Sequence, residues 1–328
     1  MRLFILALIL IGSVFTASAA PQSYHAGVAR LTVPDATAPF DTVIFYPSDT
    51  QEVAWKAGPF PIAASLNAPV AEGQRFPVVL ISHGHRGAPF SHRDLATRLA
   101  RDGFIVILPT HIGDASGHPE ATTPSQILED RPRQAKEALD AALADPRFAQ
   151  HADTARIGMI GYSAGGYTAL ILAGARPNFA YADTYCRSHD DVASCARHAA
   201  GDASPPVDLI AWQPPAEPRL KALVLMDPLA VMFDAAGLAS VRIPTLLYRP
   251  DDDAYLNAQH NALAVAAGLP NPPQQVVVPG SHFVFVDPCP DAIADQAQLI
   301  CKDATGVDRA SVHRKMESEI SAFLHAHL

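Results

Sequence analysis

Unbroken apolar runs of four to seven residues recur along this chain, separated by stretches in which apolar residues fall every three or four positions. Residues 76–82 (F-P-V-V-L-I-S), 104–108, 157–160, 221–226 (K-A-L-V-L-M), 243–248 and 274–278 are runs of this kind. Such runs predict strands buried on both faces, as in a parallel sheet covered by helices. Residues 29–33 and 42–46 end at turn residues and predict two strands at the sheet edge. Helical spacing occurs at 91–102, 124–145, 255–267 and 309–328. Ser91 is read as the N-cap of the first helix, with Asp94 completing a weak capping box and Gly103 closing it. Pro146 stops the second. Residues 59–73, rich in Pro and Ala without periodicity, read as a loop. Strands alternating with helices predict an α/β fold with a mostly parallel sheet flanked on both faces.

The most informative stretch is 156–175, R-I-G-M-I-G-Y-S-A-G-G-Y-T-A-L-I-L-A-G-A. A short apolar strand runs into Gly161-Tyr162-Ser163-Ala164-Gly165, and a small-residue helix follows at once. That is the strand, sharp turn, helix setting of a G-x-S-x-G nucleophile. A serine on so tight a turn needs neighbours without a Cβ, and Gly161 and Gly165 meet that need. Ser163 is therefore the candidate nucleophile; the plain alternative is a glycine-rich turn carrying a passenger serine.

A serine hydroxyl needs a base, and the base needs an acid to orient it. On sheets of this kind the order is Ser, Asp or Glu, His, on loops after successive strands. His282 follows the strand 274–278 and a Pro-Gly turn, the right place for the base. The acid has three adjacent candidates, Asp251, Asp252 and Asp253, after the strand ending at Tyr248. His313, His325 and His327 fall on the terminal helix and read as solvated. Two backbone amides should receive the developing oxyanion: Ala164, next to the nucleophile, and His85, in the loop after the strand 76–82. His83, His85, His92, His111 and His118 raise the question of a metal. No H-E-x-x-H spacing accompanies them, so no metal and no cofactor is expected.

The chain has 328 residues, 49% of them apolar, with no linker-like run or internal repeat, which favours one domain over residues 20–328. A net charge of -9 with 24 dispersed Lys and Arg argues against a nucleic-acid partner. Residues 1–19 resemble an export signal: Arg2, an apolar run over 3–11, and Ala17-Ser18-Ala19 as the cleavage site. An uncleaved anchor is the alternative, though the run is short for a span of about 20 residues. Secreted or periplasmic localisation follows, without stable membrane insertion. Four cysteines in an exported chain imply two disulfides. Three connectivities exist, and the local pairs Cys186 with Cys195 and Cys289 with Cys301 are preferred. Residues 177–218 lose all periodicity and read as a lid or pocket wall, or as a tolerated surface insertion.

The chain also resembles α/β-hydrolases of the bacterial group called predicted dienelactone hydrolases, which is related to platelet-activating factor acetylhydrolases. The resemblance rests on Tyr46-Pro47, S-H-G-H at 82–85, G-Y-S-A-G-G at 161–166, Tyr248-Arg249, Val278-Pro279-Gly280 with His282-Phe283, Asp287-Pro288-Cys289 and Gly306-Val307-Asp308-Arg309. It implies an eight-stranded α/β-hydrolase sheet, places the acid at Asp253 and supports the Cys289 to Cys301 pair. Pro250-Asp251-Asp252 departs from the glycine-containing turn usual there, which leaves Asp251 and Asp252 open. True dienelactone hydrolases use cysteine where this chain has Ser163, so the resemblance implies ordinary carboxylic-ester hydrolysis. Small-molecule esters or lipids are the expected substrates. A phospholipase A2-like acetylhydrolase, a polyesterase and an inactive binding protein on the same fold are the alternatives.

Overall fold

The computed structural model describes residues 23–118, 123–196, 209, 212–252 and 254–328. The expected export segment lies outside them, as do residue 253 and most of 197–211. In chain order the elements are β1 (His25–Val33), β2 (Phe40–Ser48), β3 (Ala54–Ala57), β4 (Phe60–Ala63), β5 (Ser65–Leu66), β6 (Phe76–Ser82), α1 (Arg93–Arg101), β7 (Ile105–Pro109), α2 (Pro124–Ala144), β8 (Ala152–Tyr162), α3 (Ala164–Leu172), α4 (Phe179–Cys186), β9 (Leu220–Met226), α5 (Ala235–Leu238), β10 (Thr245–Asp252), α6 (Ala262–Gly268), β11 (Gln274–Ser281), α7 (Asp291–Ala294), α8 (Gln298–Cys301) and α9 (Arg309–His327).

The main sheet runs β11-β10-β9-β8-β6-β7-β2-β1-β5. From β11 to β7 every neighbour is parallel, whereas β2 pairs antiparallel with both β7 and β1. Among the described residues the sheet thus has nine strands where eight were expected. The extra one is β5, a two-residue strand lying parallel to β1. It falls in the stretch read as loop, as does β4, which forms a separate hairpin with β3.

The β6 run shows why these segments are strands. Val78 and Leu80 point into one apolar core, with Ala135, Leu139 and Leu170 from α2 and α3. Val79 and Ile81 point into the other, with Leu95, Leu99, Met316 and Ile320 from α1 and α9. A side-chain period of two, with helices over both faces, leaves no solvated side and so demands a continuous apolar run.

Three helix details depart from expectation. Ser91 lies within a short 3₁₀ turn (Pro89–His92), and its hydroxyl accepts from the Ala88 N–H instead of capping α1. The Asp94 amide, in the first turn of α1, donates instead to the carboxylate of Asp287, 193 residues away. Helix α6 begins at Ala262, seven residues later than the periodicity suggested. The four cysteines form Cys186–Cys195 and Cys289–Cys301. Among the described residues no helix is long and apolar enough to cross a membrane.

His313, read as solvated, is buried on α9, and its Nε2 donates to the Val284 carbonyl. Burial alone would lower its pKa, but the Asp287 carboxylate outweighs that and raises it. Glu317, one turn further along α9, is pushed up to about 7, first by burial and then by Asp287. A carboxyl raised on folding contributes stability below its unfolded pKa and loses it as pH rises through the folded value. Glu317→Gln should therefore match wild type near pH 5. By pH 8.5 it should be more stable by about 1–2 kcal/mol, after allowance for screening at a partly exposed carboxylate. Thermal melts at the two pH values check the sign.

Candidate active site

Ser163 stands between the end of β8 and the first residue of α3, at φ 54 and ψ -118. That is left-handed backbone, uncommon for a residue with a side chain and a form of strain found at functional turns. The surroundings hold it there. The Ser163 amide donates to the Met226 carbonyl at 3.0 Å, and its own carbonyl accepts from Gly166 at 2.8 Å and Leu229 at 2.9 Å. A Cβ on Gly165 would lie 1.9 Å from the Ser82 carbonyl oxygen, and one on Gly161 2.2 Å from that of Gly165. Glycine at these two positions is what allows β6, β8 and α3 to meet.

His282 begins a 3₁₀ turn directly after β11 and is buried. Its Nε2 is 3.0 Å from Ser163 Oγ. Its Nδ1 is 2.5 Å from Oδ2 of Asp227. An ionised carboxylate only accepts, so Nδ1 carries the ring proton and Nε2 is left free to accept from the serine hydroxyl. Tyr255 stacks on the imidazole with centroids 4.5 Å apart and planes 19° apart. On the backbone side the Tyr162 hydroxyl donates to the His282 carbonyl.

At His282 Nδ1 the structure places Asp227, where the sequence had led to an acid at Asp251, Asp252 or Asp253. Asp227 follows β9, one strand earlier than expected, and is wholly buried with its amide on the Tyr248 carbonyl. Its φ of 43 turns the chain sharply off the strand end. Asp253 lies outside the described residues. Asp251 and Asp252 are exposed; Asp251 accepts from the Gly280 amide and Asp252 from that of Ala254. With Nδ1 of His282 occupied by Asp227, the loop after β10 has no imidazole left to orient. The signal was present in the sequence: Asp227 is the first acid after the buried run L-K-A-L-V-L-M, on the strand paired beside the nucleophile strand.

The two residues expected to donate to the oxyanion both border the cavity at the serine. Ala164 is the first residue of α3, where backbone N–H groups have no partner within the helix and the dipole favours negative charge. The loop carrying His85 touches the elbow, since a Cβ on Gly84 would lie 3.3 Å from that of Ser163. Ser163, Ala164 and His85 all border a cavity of about 210 Å³, whose apolar wall includes Phe179, Leu229, Val231 and Met232. A neighbouring cavity of about 660 Å³ has a more polar lining that includes Asp190, Asn257 and Gln259, and His85 and Tyr255 border both. Residues 179–196, from the segment expected to be a lid, supply walls to both cavities. Among the described residues no group of His, Cys, Asp or Glu is arranged to hold a metal ion.

The profile of the Dienelactone hydrolase family matches residues 62–193. A Synechocystis sp. protein named as a carboxymethylenebutenolidase is 30% identical over 154 residues, 44% of this chain and 60% of that protein. A solved ferulic acid esterase from Streptomyces cinnamoneus superposes with a TM-score of 0.63 at 19% identity, over 94% of this chain and 92% of the other. The chain has an α/β-hydrolase fold, and residues 62–193 are similar to the Dienelactone hydrolase family. The chain spans less than two thirds of the Synechocystis protein it matches, and the family match stops at residue 193. The match thus takes in the nucleophile elbow and the His85 loop, while Asp227 and His282 rest on geometry alone.

Proposed function

We propose that the chain is an exported serine esterase that cleaves short-chain carboxylic esters through an acyl-serine intermediate. The observation that carries this reading is the hydrogen-bonded series Ser163, His282, Asp227 beside an apolar cavity. Each residue then has a role set by its chemistry. His282 Nε2 takes the proton as Ser163 Oγ attacks the ester carbonyl, and Asp227 stabilises the imidazolium that forms. The His85 and Ala164 amides receive the oxyanion, and Nε2–H then protonates the departing alcohol. Water repeats the sequence on the acyl-enzyme. Because Nδ1 is held by a buried carboxylate, the imidazole stays in the tautomer that can accept.

A cavity of about 210 Å³ walled by Phe179, Leu229, Val231 and Met232 suits a short aliphatic or a single-ring acyl group. The larger neighbouring cavity suits the alcohol side. Two disulfides support export, together with the apolar run at residues 3–11.

The test is hydrolysis of p-nitrophenyl esters from acetyl to palmitoyl, with methyl ferulate alongside, combined with fluorophosphonate labelling and peptide mapping. Turnover highest at the short acyl end, with label on Ser163, is the expected result. A protein that neither turns over nor labels is the inactive binding alternative. A maximum at long chains points to lipid.

A further inference from the structure

A buried ion pair lies beside the catalytic series without belonging to it. Asp114 and Arg131 each have side chains only 1% exposed, and Arg131 Nη1 bonds directly to Asp114 Oδ2. Replacing such a pair with apolar groups is often neutral or stabilising, so stability alone is a weak reason for it. Its other bonds converge on one object.

Arg131 Nη2 donates to the carbonyl of His83 and also to the Ser82 hydroxyl, at 3.3 Å. The second carboxylate oxygen of Asp114 bonds His85 Nδ1, and the Asp114 carbonyl accepts the Arg86 amide at 3.1 Å. The loop is thus held on both sides of the Gly84–His85 peptide, whose N–H is one expected oxyanion donor. On its other flank Arg131 Nε donates to the Thr168 hydroxyl at 3.2 Å, and that hydroxyl donates to the Ala164 carbonyl at 3.1 Å. Ala164 carries the other donor. One guanidinium therefore reaches the peptide segments of both donors, which come from separate loops.

Resting on the serine-esterase reading above, we propose that the Asp114–Arg131 pair is a positioning device for the oxyanion site, fixing the His85 amide relative to that of Ala164. Neither side chain touches the reacting atoms. The carboxylate must be ionised to accept from both Arg131 and His85. Burial would raise its pKa, but Arg131 and the His85 bond together hold it well below the usual carboxylate range. The His85 imidazole, 54% exposed, is the outer end of the brace.

The test separates the transition state from the ground state. Asp114→Asn and His85→Ala are compared with wild type for kcat, KM and binding of a butyl trifluoromethyl ketone, which forms an oxyanion on Ser163. The butyl methyl ketone, which does not form that adduct, reports ground-state binding. For Asp114→Asn the expected result is a loss of about 100-fold in kcat and in trifluoromethyl ketone affinity, with KM and methyl ketone binding within about twofold. His85→Ala, which leaves the ion pair intact and removes a largely exposed group, should lose about tenfold in the same two quantities. If Asp114→Asn does not fold, His85→Ala alone decides. Variants matching wild type in both quantities, or losing methyl ketone affinity equally, would overturn the brace. A wild type that neither hydrolyses esters nor binds the trifluoromethyl ketone overturns the esterase reading instead.

Discussion

Ser163→Ala is expected to lower kcat for a short-chain ester by on the order of 10⁴ to 10⁶-fold while leaving the melting temperature near that of wild type. The size follows from chemistry: without Oγ there is no acyl-enzyme, and what persists is whatever rate the oxyanion site gives to direct attack by water. Stability should survive because Ser163 is anchored through its backbone, by the bonds to Met226, Gly166 and Leu229, none of which uses the hydroxyl. His282→Ala should fall into the same range, and the double variant should be little worse than either single one, since the two act as a unit. The checks are steady-state kinetics and loss of fluorophosphonate label in Ser163→Ala. An alanine variant that keeps turnover would remove Ser163 from the chemistry altogether.

Asp227→Asn should cost about 10³ to 10⁴-fold in kcat. An amide NH₂ at the position of Oδ2 would donate toward Nδ1, so the ring proton would move to Nε2 and the base would face the serine hydroxyl with a donor. Substituting Asp251, Asp252 or Asp253 by Asn should leave kcat within about threefold, because Nδ1 of His282 is already bonded to Asp227. Kinetics on the four variants decide the matter. A large loss at Asp253 with a small one at Asp227 would return the acid to the loop after β10.

The sharp turn at Ser163 and the placing of His282 beside it were legible in the sequence because both are announced locally. Gly161 and Gly165 around Ser163 declare a turn that no other residues could make, and His282 follows a strand and a Pro-Gly turn at the end of the chain order. The acid was not legible in that way. Which strand end faces an imidazole depends on sheet order and on how the chain leaves the strand, here the positive φ at Asp227. Three consecutive aspartates at 251–253 made a stronger local signal, yet Asp251 and Asp252 are turned to solvent and accept from the backbone amides of Gly280 and Ala254. The same blindness to distant partners hid His313, whose burial comes from the Val284 turn and Asp287. It also hid the Asp287 cap on α1, and the hydrogen bonds of Arg131, which reach residues up to 49 positions away.

With Asp227 just past the end of β9 and His282 just past β11, no residue of β10, the strand between them, belongs to the hydrogen-bonded series. The segment leaving β10 instead sends Tyr255, Leu256 and Asn257 to the cavity walls. In the proposed mechanism, proton transfer and substrate shape are thereby written on different loops. On the esterase reading proposed above, mutation can remodel the second while the first stays untouched, so new ester preferences would be reachable in single steps that keep the Ser163–His282–Asp227 series intact.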